Sequence, residues 1–338
     1  MTKYSAIGIF LIRLWNDALS KRAVVRIDTD KIGILTDKSF LLHDTGPGHP
    51  ESPDRLKAVE EAINEISDDI VRIKAREASR EELLLVHRPE YVERILSLDP
   101  GGLIMLDADT SFSAHTKSAA LKAAGGVLET VDGVANGDFS KALCAVRPPG
   151  HHAEPSRAMG FCIFNNIAIG AAYALTKRDI QRVAIIDWDL HHGNGTQDIF
   201  YQRDDVLYVS LHQYPYYPGS GSADERGARK GTGYTINIPM AAGSTDGDYR
   251  EAFATVIIPA LTDFRPQMLF ISAGFDAHRD DPLGGMNLSS EFYGEMTAML
   301  KKVADQFCDG RVISVLEGGY SLSALKESVL FHLREFYK

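Results

Sequence analysis

Residues 183–195 read VAIIDWDLHHGNG, an apolar run that passes directly into a row of polar side chains. The apolar part, Val183–Asp187, is rich in valine and isoleucine without strict alternation, which is typical of a parallel strand buried on both faces. Two glycines, Gly193 and Gly195, then relax the constraints on the backbone. Because functional sites of open α/β sheets form beyond the carboxyl ends of strands, this stretch predicts a strand that ends at a site.

Other apolar runs of this kind alternate with helical patterns along the chain. A helix start is predicted at Ser52 and Pro53, with Ser52 as the cap, and residues 118–131 and 291–307 carry apolar side chains at helical spacing. This alternation predicts an α/β protein with a mainly parallel sheet. Further strands are predicted at 31–36, 142–146, 206–211, 268–272 and 312–316, and at 234–239 as an edge strand.

The size and charge of the chain indicate how many domains it has and which kinds of partner are disfavoured. Its 338 residues are 44% hydrophobic and contain no repeat or long linker. We therefore expect one domain over residues 31–338, preceded by an N-terminal arm, 1–30, to which the sequence assigns no role. The net charge of −10, from 46 acidic and 36 basic residues, argues against direct binding of nucleic acid.

The cysteines and the N-terminal residues indicate the cellular compartment of the protein. The three cysteines are widely spaced and form no C-x-x-C pair, so a disulfide framework and a thiolate zinc site are disfavoured. Residues 6–11 are apolar, but Arg13 interrupts the run, so we expect neither a signal peptide nor a membrane span. These features predict a cytoplasmic protein. Residues 7–19 have helical spacing and would pack on the body or on another subunit of a homo-oligomer.

Four residues in two distant segments have the chemistry of metal ligands. Asp187, Asp189 and His191 alternate along the chain, so an extended backbone projects them to the same side. Asp276 lies just past another predicted strand, where it is either a further ligand or a helix cap. Carboxylate and imidazole ligands suit a divalent metal such as zinc. Two carboxylates and one imidazole would leave a coordination position for water or substrate, as in catalytic zinc sites.

Two more segments supply groups for proton transfer. Residues 147–152 read RPPGHH, and one of its adjacent histidines suits a general base, because histidine titrates near neutrality. A pair of structural histidines is the alternative. Residues 316–320 read LEGGY, whose glycines allow a tight turn that would deliver Tyr320 to a buried site. A phenol there could donate a hydrogen bond to a polarised carbonyl, although tyrosine is also common in cores.

Taken together and in this order, the four segments resemble the histone deacetylase superfamily. The match runs from His43 to Tyr320 and includes GPGHPE at 46–51, GFC at 160–162 and NN at 165–166. The resemblance implies the arginase/deacetylase-like α/β fold, a central mainly parallel sheet with helices on both faces. It also implies hydrolysis of an acetylated amine with one zinc ion per chain.

The resemblance assigns roles residue by residue. It implies that zinc is bound by Asp189, His191 and Asp276. The implied catalytic residues are His151 and His152, supported by Asp187 and Asn194, together with Tyr320 at the scissile carbonyl. The implied substrate contacts are Gly160, Phe161, Tyr217, Leu283 and Gly319, with Arg55 at the inner end of the tunnel and Asp109 on the substrate backbone.

The resemblance also implies structural potassium. The nearer site would use the carboxylate of Asp187, the Ser210 hydroxyl and main-chain oxygens that include that of Leu211. A second site would use carbonyls around Phe200, Arg203 and Val206.

Two features bear on the subclass and the substrate. Asn194 and the DPLGG sequence at 281–285 resemble class II and bacterial members. Leu283 stands where eukaryotic polyamine-selective relatives place an acid, which favours an acetylated lysine peptide or protein over an acetylated small amine. An acetylpolyamine amidohydrolase, a binuclear manganese ureohydrolase and a non-catalytic acetyl-lysine binder remain the alternatives.

Overall fold

An eight-stranded parallel sheet forms the centre of the computed structural model, which describes residues 31–66 and 69–338. The strands are β1 (Ile32–Leu35), β2 (Ile70–Ile73), β3 (Ile104–Met105), β4 (Ser111–Phe112), β5 (Lys141–Cys144), β6 (Val183–Asp187), β7 (Val206–Gln213), β8 (Thr235–Met240), β9 (Met268–Ala273) and β10 (Val312–Leu316). Their spatial order in the sheet is β2-β1-β5-β10-β9-β6-β7-β8, and β3 and β4 form a separate antiparallel hairpin.

Helices connect the strands. Short 3-10 turns lie at Lys38–Leu42 and Arg229–Gly231, and a π-helical segment, Phe253–Ile257, joins α7 to α8. The helices are α1 (Pro53–Asn64), α2 (Arg80–Leu83), α3 (Pro89–Ser97), α4 (Thr116–Asn136), α5 (Asn166–Ala174), α6 (Asn194–Phe200), α7 (Asp246–Ala252), α8 (Ile258–Phe264), α9 (Ser290–Phe307) and α10 (Leu322–Tyr337). No helix in the described part of the chain has the length and apolarity of a membrane span.

The helices cover both faces of the sheet. On one face α5 packs closely on β9, since a Cβ atom on Gly170 would lie 3.3 Å from the Phe270 ring. On the other face His332 of α10 hydrogen-bonds Ser314 of β10 at 2.8 Å. Ser314 is paired with Ile271, the residue after Phe270, so the two contacts lie on opposite sides of the sheet. The predicted fold class is confirmed, and the sheet is parallel throughout.

Most of the predicted elements are confirmed at close to their predicted bounds. β6 and β10 begin and end where the apolar runs do, and β8 lies at the edge of the sheet. Seven helices were not predicted, namely α2, α3, α5, α6, α7, α8 and α10. The short strands β2, β3 and β4 were not predicted either, since two to four residues carry little pattern. The division into an arm and one domain stays a prediction, because residues 1–30 lie outside the described residues.

The cap of the first helix lies at the predicted residue, but it does not use the serine side chain. Ser52 occupies the N-cap position, but its side chain makes no capping hydrogen bond. Pro53 fills the first helical position and has no N–H to satisfy. The Ser52 carbonyl, rather than its hydroxyl, accepts the bond from the Arg55 N–H at 3.2 Å.

A buried ionic cluster fixes the start of α1 against the loop after β5. Glu51 is fully buried, and its carboxylate accepts hydrogen bonds from Arg147 Nη2 at 2.7 Å and Arg55 Nη1 at 3.1 Å. Burial alone would raise the pKa of Glu51, but the two guanidinium groups outweigh it and lower the pKa to about 2. Because Arg147 opens the segment with the two adjacent histidines, this cluster positions the loop that carries them.

We expect Glu51 to make stability depend on acid pH. Its pKa is lowered from an ordinary 4.5 to about 2, so its contribution is present above pH 4.5 and is lost as pH falls toward 2. The free energy of unfolding, measured by urea denaturation, should fall over this range in the wild type and fall less steeply in Glu51→Gln. At neutral pH, Glu51→Gln should cost about 3–5 kcal/mol, because two guanidinium groups lose their buried partner.

The matched control is Glu81→Gln, whose side chain is 76% exposed on α2. It should leave both the stability and its pH dependence unchanged. Equal pH slopes in Glu51→Gln and the wild type would contradict the role given to this cluster.

Candidate metal centre and active site

Four polar loops leave the sheet side by side. They follow β5, β10, β9 and β6, which are neighbours in that order, and parallel strands release their loops at the same edge. The loops contain residues 147–152, 317–320, 274–278 and 188–194. The structure therefore brings the four segments singled out in the sequence to one place.

Three side chains from two of these loops converge as a candidate metal centre. Ligand atoms of Asp189, His191 and Asp276 all lie within 4.8 Å of one another, and this is the only such group found within the described residues. His191 Nδ1 is 3.2 Å from Asp189 Oδ1 and 3.1 Å from Asp276 Oδ2. Both carboxylates are buried, so the arrangement can close around a small cation.

Backbone amides orient the two carboxylates. Asp189 Oδ2 accepts a hydrogen bond from the Gly318 N–H at 2.8 Å, and Asp276 Oδ1 accepts one from the Leu190 N–H at 2.8 Å. A Cβ atom on Gly318 would lie 2.2 Å from Asp276 Oδ2, so glycine is required there. One oxygen of each carboxylate is thus held by the protein while the other faces His191, as ligands with outer-shell partners do.

The charges of the group fit a divalent ion. Burial, followed by the neighbouring charge of Asp189, raises the pKa of Asp276 to about 7. Burial would lower the pKa of His191, but the two carboxylates outweigh it and raise the pKa to about 10. Two buried carboxylates therefore need a positive charge, which a bound metal supplies better than a proton on the imidazole. Carboxylate oxygen and imidazole nitrogen are both donors that zinc takes, and three protein ligands leave a position for water, as at catalytic zinc sites.

His151 lies in a negatively charged environment. Its Nδ1 is 3.0 Å from Asp187 Oδ2 and therefore donates to that carboxylate. Tyr208 also donates to Asp187 Oδ2 at 3.0 Å. Burial would lower the pKa of His151, but the charges of Asp187, Asp189 and Glu317 outweigh it and raise the pKa to about 10. His151 therefore favours the protonated form.

His152 lies beside His151, but its surroundings disfavour a positive charge. Burial lowers its pKa well below the ordinary value, and the positive charges of His151 and His191 add to the effect. The Asn194 amide donates from Nδ2 to Glu154 Oε1 at 2.9 Å, so its oxygen faces His152 Nδ1 at 2.8 Å. The imidazole consequently carries its proton on Nδ1 and keeps the lone pair of Nε2 free.

The candidate centre opens into a narrow cavity of about 90 Å³. Phe161 contributes one wall from a backbone with φ of 67°, and the Asp109 carboxylate accepts the Gly160 N–H at 3.1 Å. A Cβ atom on Gly160 would lie 2.4 Å from the His152 ring, so this wall needs glycine. The cavity is lined by Asp109, Pro149, His151, His152, Gly160, Phe161, His191, Tyr217, Leu283, Gly318 and Tyr320.

Two predicted substrate contacts lie behind the wall rather than in it. Gly318, not Gly319, lines the cavity, and the Gly319 carbonyl accepts a hydrogen bond from Arg55 Nε at 2.6 Å. The Arg55 guanidinium lies 5.0 Å from the centre of the Tyr320 ring and is buried. Both residues therefore support the turn that carries Tyr320.

The residues expected to hold potassium lie in two groups. Asp187 on β6 is the register partner of Ser210 on β7, and Leu211 follows on the same strand. Phe200 ends α6, and the Arg203 N–H donates to its carbonyl at 3.0 Å in the turn that leads to Val206. The two potassium sites stay predictions.

Sequence reasoning missed four acidic or phenolic residues that orient the site. Glu317 Oε2 accepts the N–H groups of Gly150 and His151 at 2.7 and 3.1 Å, and burial raises the pKa of Glu317 to about 7. Two of the missed residues, Asp281 and Glu317, lie within the quoted motifs, which was the available signal, but the contacts of all four join distant segments. The missed residues are Glu154, Tyr208, Asp281 and Glu317.

Known proteins resemble this chain over most of its length. A family model described as "Histone deacetylase domain" matches residues 49–336. An Archaeoglobus fulgidus protein named "Probable deacetylase" is 43% identical over 297 residues, covering 86% of this chain and 81% of that protein. A Pseudomonas aeruginosa "Histone deacetylase-like amidohydrolase" is 38% identical over 307 residues, 86% of this chain and 80% of that protein. A crystal structure of the HDA15 HD domain has a TM-score of 0.87 at 37% identity, over 91% of this chain and 90% of that one.

We expect Asp276→Ala to bind a divalent metal at least ~10-fold more weakly than the wild type, because it removes a ligand. Metal content after gel filtration, measured by mass spectrometry, checks this. The control is Asp198→Ala. It removes an acidic side chain from a separate cleft, which Asn194 also lines, and should keep full metal content. Equal metal content in Asp276→Ala and the wild type would contradict the assignment.

Proposed function

The chain belongs to the histone deacetylase family, and from this premise we propose that it is a zinc-dependent hydrolase that removes acetyl groups from lysine side chains of peptides or proteins. One observation carries the proposal. His191, one of the three side chains of the Asp189–His191–Asp276 group, borders the same narrow cavity as the two adjacent histidines and Tyr320. A metal, a base and an oxyanion donor around one pocket are the components of amide hydrolysis.

The metal in this proposal is zinc, held by Asp189, His191 and Asp276. The donor set and the buried negative charge described above support it. When bound, zinc supplies a Lewis acid for the scissile carbonyl and acidifies the attacking water. Only one group of metal-ligating side chains is found in the described part of the chain, which favours one ion over the two of a manganese ureohydrolase.

His152 acts as the general base. Its Nδ1 donates a hydrogen bond to the Asn194 side-chain oxygen, so Nε2 is the nitrogen that accepts the proton of the attacking water. The same nitrogen later donates this proton to the departing amine. The low pKa of His152 keeps Nε2 unprotonated before reaction. His151, which favours the protonated form, places a fixed positive charge beside it and is oriented by Asp187.

Tyr320 supplies the hydrogen bond to the developing oxyanion. Its phenol makes no hydrogen bond with the described side chains or backbone, so the donor is available to a substrate. Arg55 stacks on the ring at 5.0 Å, and Phe161 meets it edge-on at 6.1 Å. These contacts hold the ring in place before the substrate arrives, which is what an oxyanion donor requires.

The cavity walls support a lysine chain as the group that enters. Phe161, Tyr217 and Leu283 present apolar surface suited to methylene groups. Asp109 lies at the same cavity, where its carboxylate can accept hydrogen bonds from a peptide backbone. Leu283 offers no charge to attract the distal ammonium of a polyamine.

We also propose structural potassium beside Asp187. His212 Nε2 donates to the Gly221 carbonyl at 2.8 Å, so its Nδ1 accepts the Ser210 hydroxyl proton at 2.9 Å. The lone pairs of Ser210 Oγ are then left for a cation. The second site, with carbonyls around Phe200, Arg203 and Val206, belongs to the same proposal.

An acetylated small amine is the second candidate substrate. The Pseudomonas aeruginosa relative, at 38% identity, is named a "Histone deacetylase-like amidohydrolase", and amidohydrolase is a wider class than lysine deacetylase. The role of the arm, a homo-oligomer and a cytoplasmic location stay predictions.

A substrate panel tests the function directly. Acetyl-lysine peptides and acetylputrescine should be compared for amine release, before and after chelation and with zinc restored. We expect the peptides to be hydrolysed faster, chelation to abolish release and zinc to restore it. Full activity of metal-free protein, or no hydrolysis of any acetylated amide, would overturn the proposal.

Tyr320→Phe should lower the rate by about 10²–10³, because it removes one oxyanion donor. The metal content and the unfolding midpoint should stay those of the wild type, because the phenol makes no hydrogen bond to the described residues. The control is Tyr234→Phe, in a cleft remote from the cavity, which should keep full activity. Turnover by Tyr320→Phe at the wild-type rate would refute the role of the phenol.

A further inference from the structure

One carboxylate joins the turn of Tyr320 to the opposite loop of the cavity. Asp281 Oδ2 accepts the N–H groups of Tyr320 at 2.7 Å and Ser321 at 3.3 Å. Its Oδ1 accepts the N–H of Leu283 at 2.9 Å. The Asp281 residue is only 6% exposed, so these bonds form away from competing water.

The turn of Tyr320 depends on such a contact. Gly318 and Gly319 precede the tyrosine, and Gly319 has φ of 120°, a conformation that glycine adopts readily and other residues do not. The phenol itself makes no hydrogen bond within the described protein, and its ring is held only by packing. The carboxylate of Asp281 therefore fixes the main chain from which the phenol projects.

The main chain of Leu283, on the opposite loop, is also held by hydrogen bonds. Leu283 lines the cavity, its N–H is bound by Asp281, and its carbonyl accepts the Tyr216 hydroxyl at 3.0 Å. Asp281 lies five residues after Asp276 on the same loop, and its own N–H donates to the His278 carbonyl at 3.0 Å. One side chain thus links the loop of the metal ligand to the loop of the phenol.

We propose that Asp281 is a positioning residue for the reaction. Its carboxylate, with Leu283, Tyr320 and Ser321, forms a clamp that sets the phenol relative to the metal ligands. This inference rests on the proposed function. Displacement of a catalytic group by about 1 Å can cost on the order of 10²-fold in rate.

Asp281→Asn tests the clamp with little change in shape. Its one remaining side-chain oxygen can accept from Tyr320 or from Leu283 but not from both, because the amide nitrogen is a donor. We expect kcat to fall about tenfold to a hundredfold with zinc content unchanged, and the unfolding midpoint to fall only slightly, since one backbone N–H loses its acceptor. In the Tyr320→Phe background the same change should lower kcat by less than about threefold, because the phenol it positions is already gone.

The matched control is Asp246→Asn. The carboxylate of Asp246 also accepts a backbone N–H, that of Ser289 at 2.9 Å, but it lies outside the cavity. It should keep wild-type kcat. Asp281→Glu, which keeps the charge but moves the acceptor oxygens, serves as the second variant, and it should lose kcat in the same way.

Equal losses of kcat from Asp281→Asn in the wild-type and Tyr320→Phe backgrounds would overturn the clamp, since the residue would then act through something other than the phenol. A crystal structure of metal-free Asp281→Asn gives a readout that needs no turnover, and Tyr320 should be displaced in it. An undisplaced Tyr320 would overturn the clamp. If the wild type hydrolyses no acetylated amide, the proposed function fails, while the position of Tyr320 in that crystal structure still decides the clamp.

Discussion

The structure depends on two buried carboxylates, Asp189 and Asp276, that face a single imidazole. Two such charges in a protein interior repel one another and have lost most of their hydration, so they need a cation between them. A divalent ion meets this need and provides the chemistry of the site at the same time. The surrounding chain keeps the two groups together: Gly274 and Gly318 lie so close to the carboxylates that a methyl group at either position would overlap an oxygen.

Around this centre, acidic side chains of one loop repeatedly accept amide N–H groups of another. Asp189 binds the amide of Gly318, Glu317 binds those of Gly150 and His151, and Asp281 binds that of Tyr320. Each contact joins loops that leave different strands of the sheet. The precision of the site therefore comes from a closed set of loop-to-loop hydrogen bonds, and the sheet contributes the edge from which the loops begin.

The two adjacent histidines show how local electrostatics separate similar residues. His151 and His152 have ring centres 4.0 Å apart, yet one meets an aspartate and the other an asparagine. The charged partner raises the pKa of His151, and this positive charge, together with burial, lowers the pKa of His152. The acids around His151, with Asp187 the first of them, assign a fixed charge to that ring, while burial and the Asn194 oxygen leave His152 neutral with a free lone pair on Nε2.

The sequence alone determined the α/β class and the strand Val183–Asp187, because apolar runs are local patterns. The alternation of polar residues indicated Asp189 and His191 as candidate ligands, whereas only the family resemblance distinguished Asp276 from a helix cap. It also pointed to the segments that carry the histidines and Tyr320. Only the tertiary structure decided that Gly318 lines the cavity while Gly319 and Arg55 lie behind it, and that Glu154, Glu317 and Asp281 orient the site. The reason is physical: which donor a carboxylate accepts depends on where a distant loop places its amide, and no local pattern encodes that position.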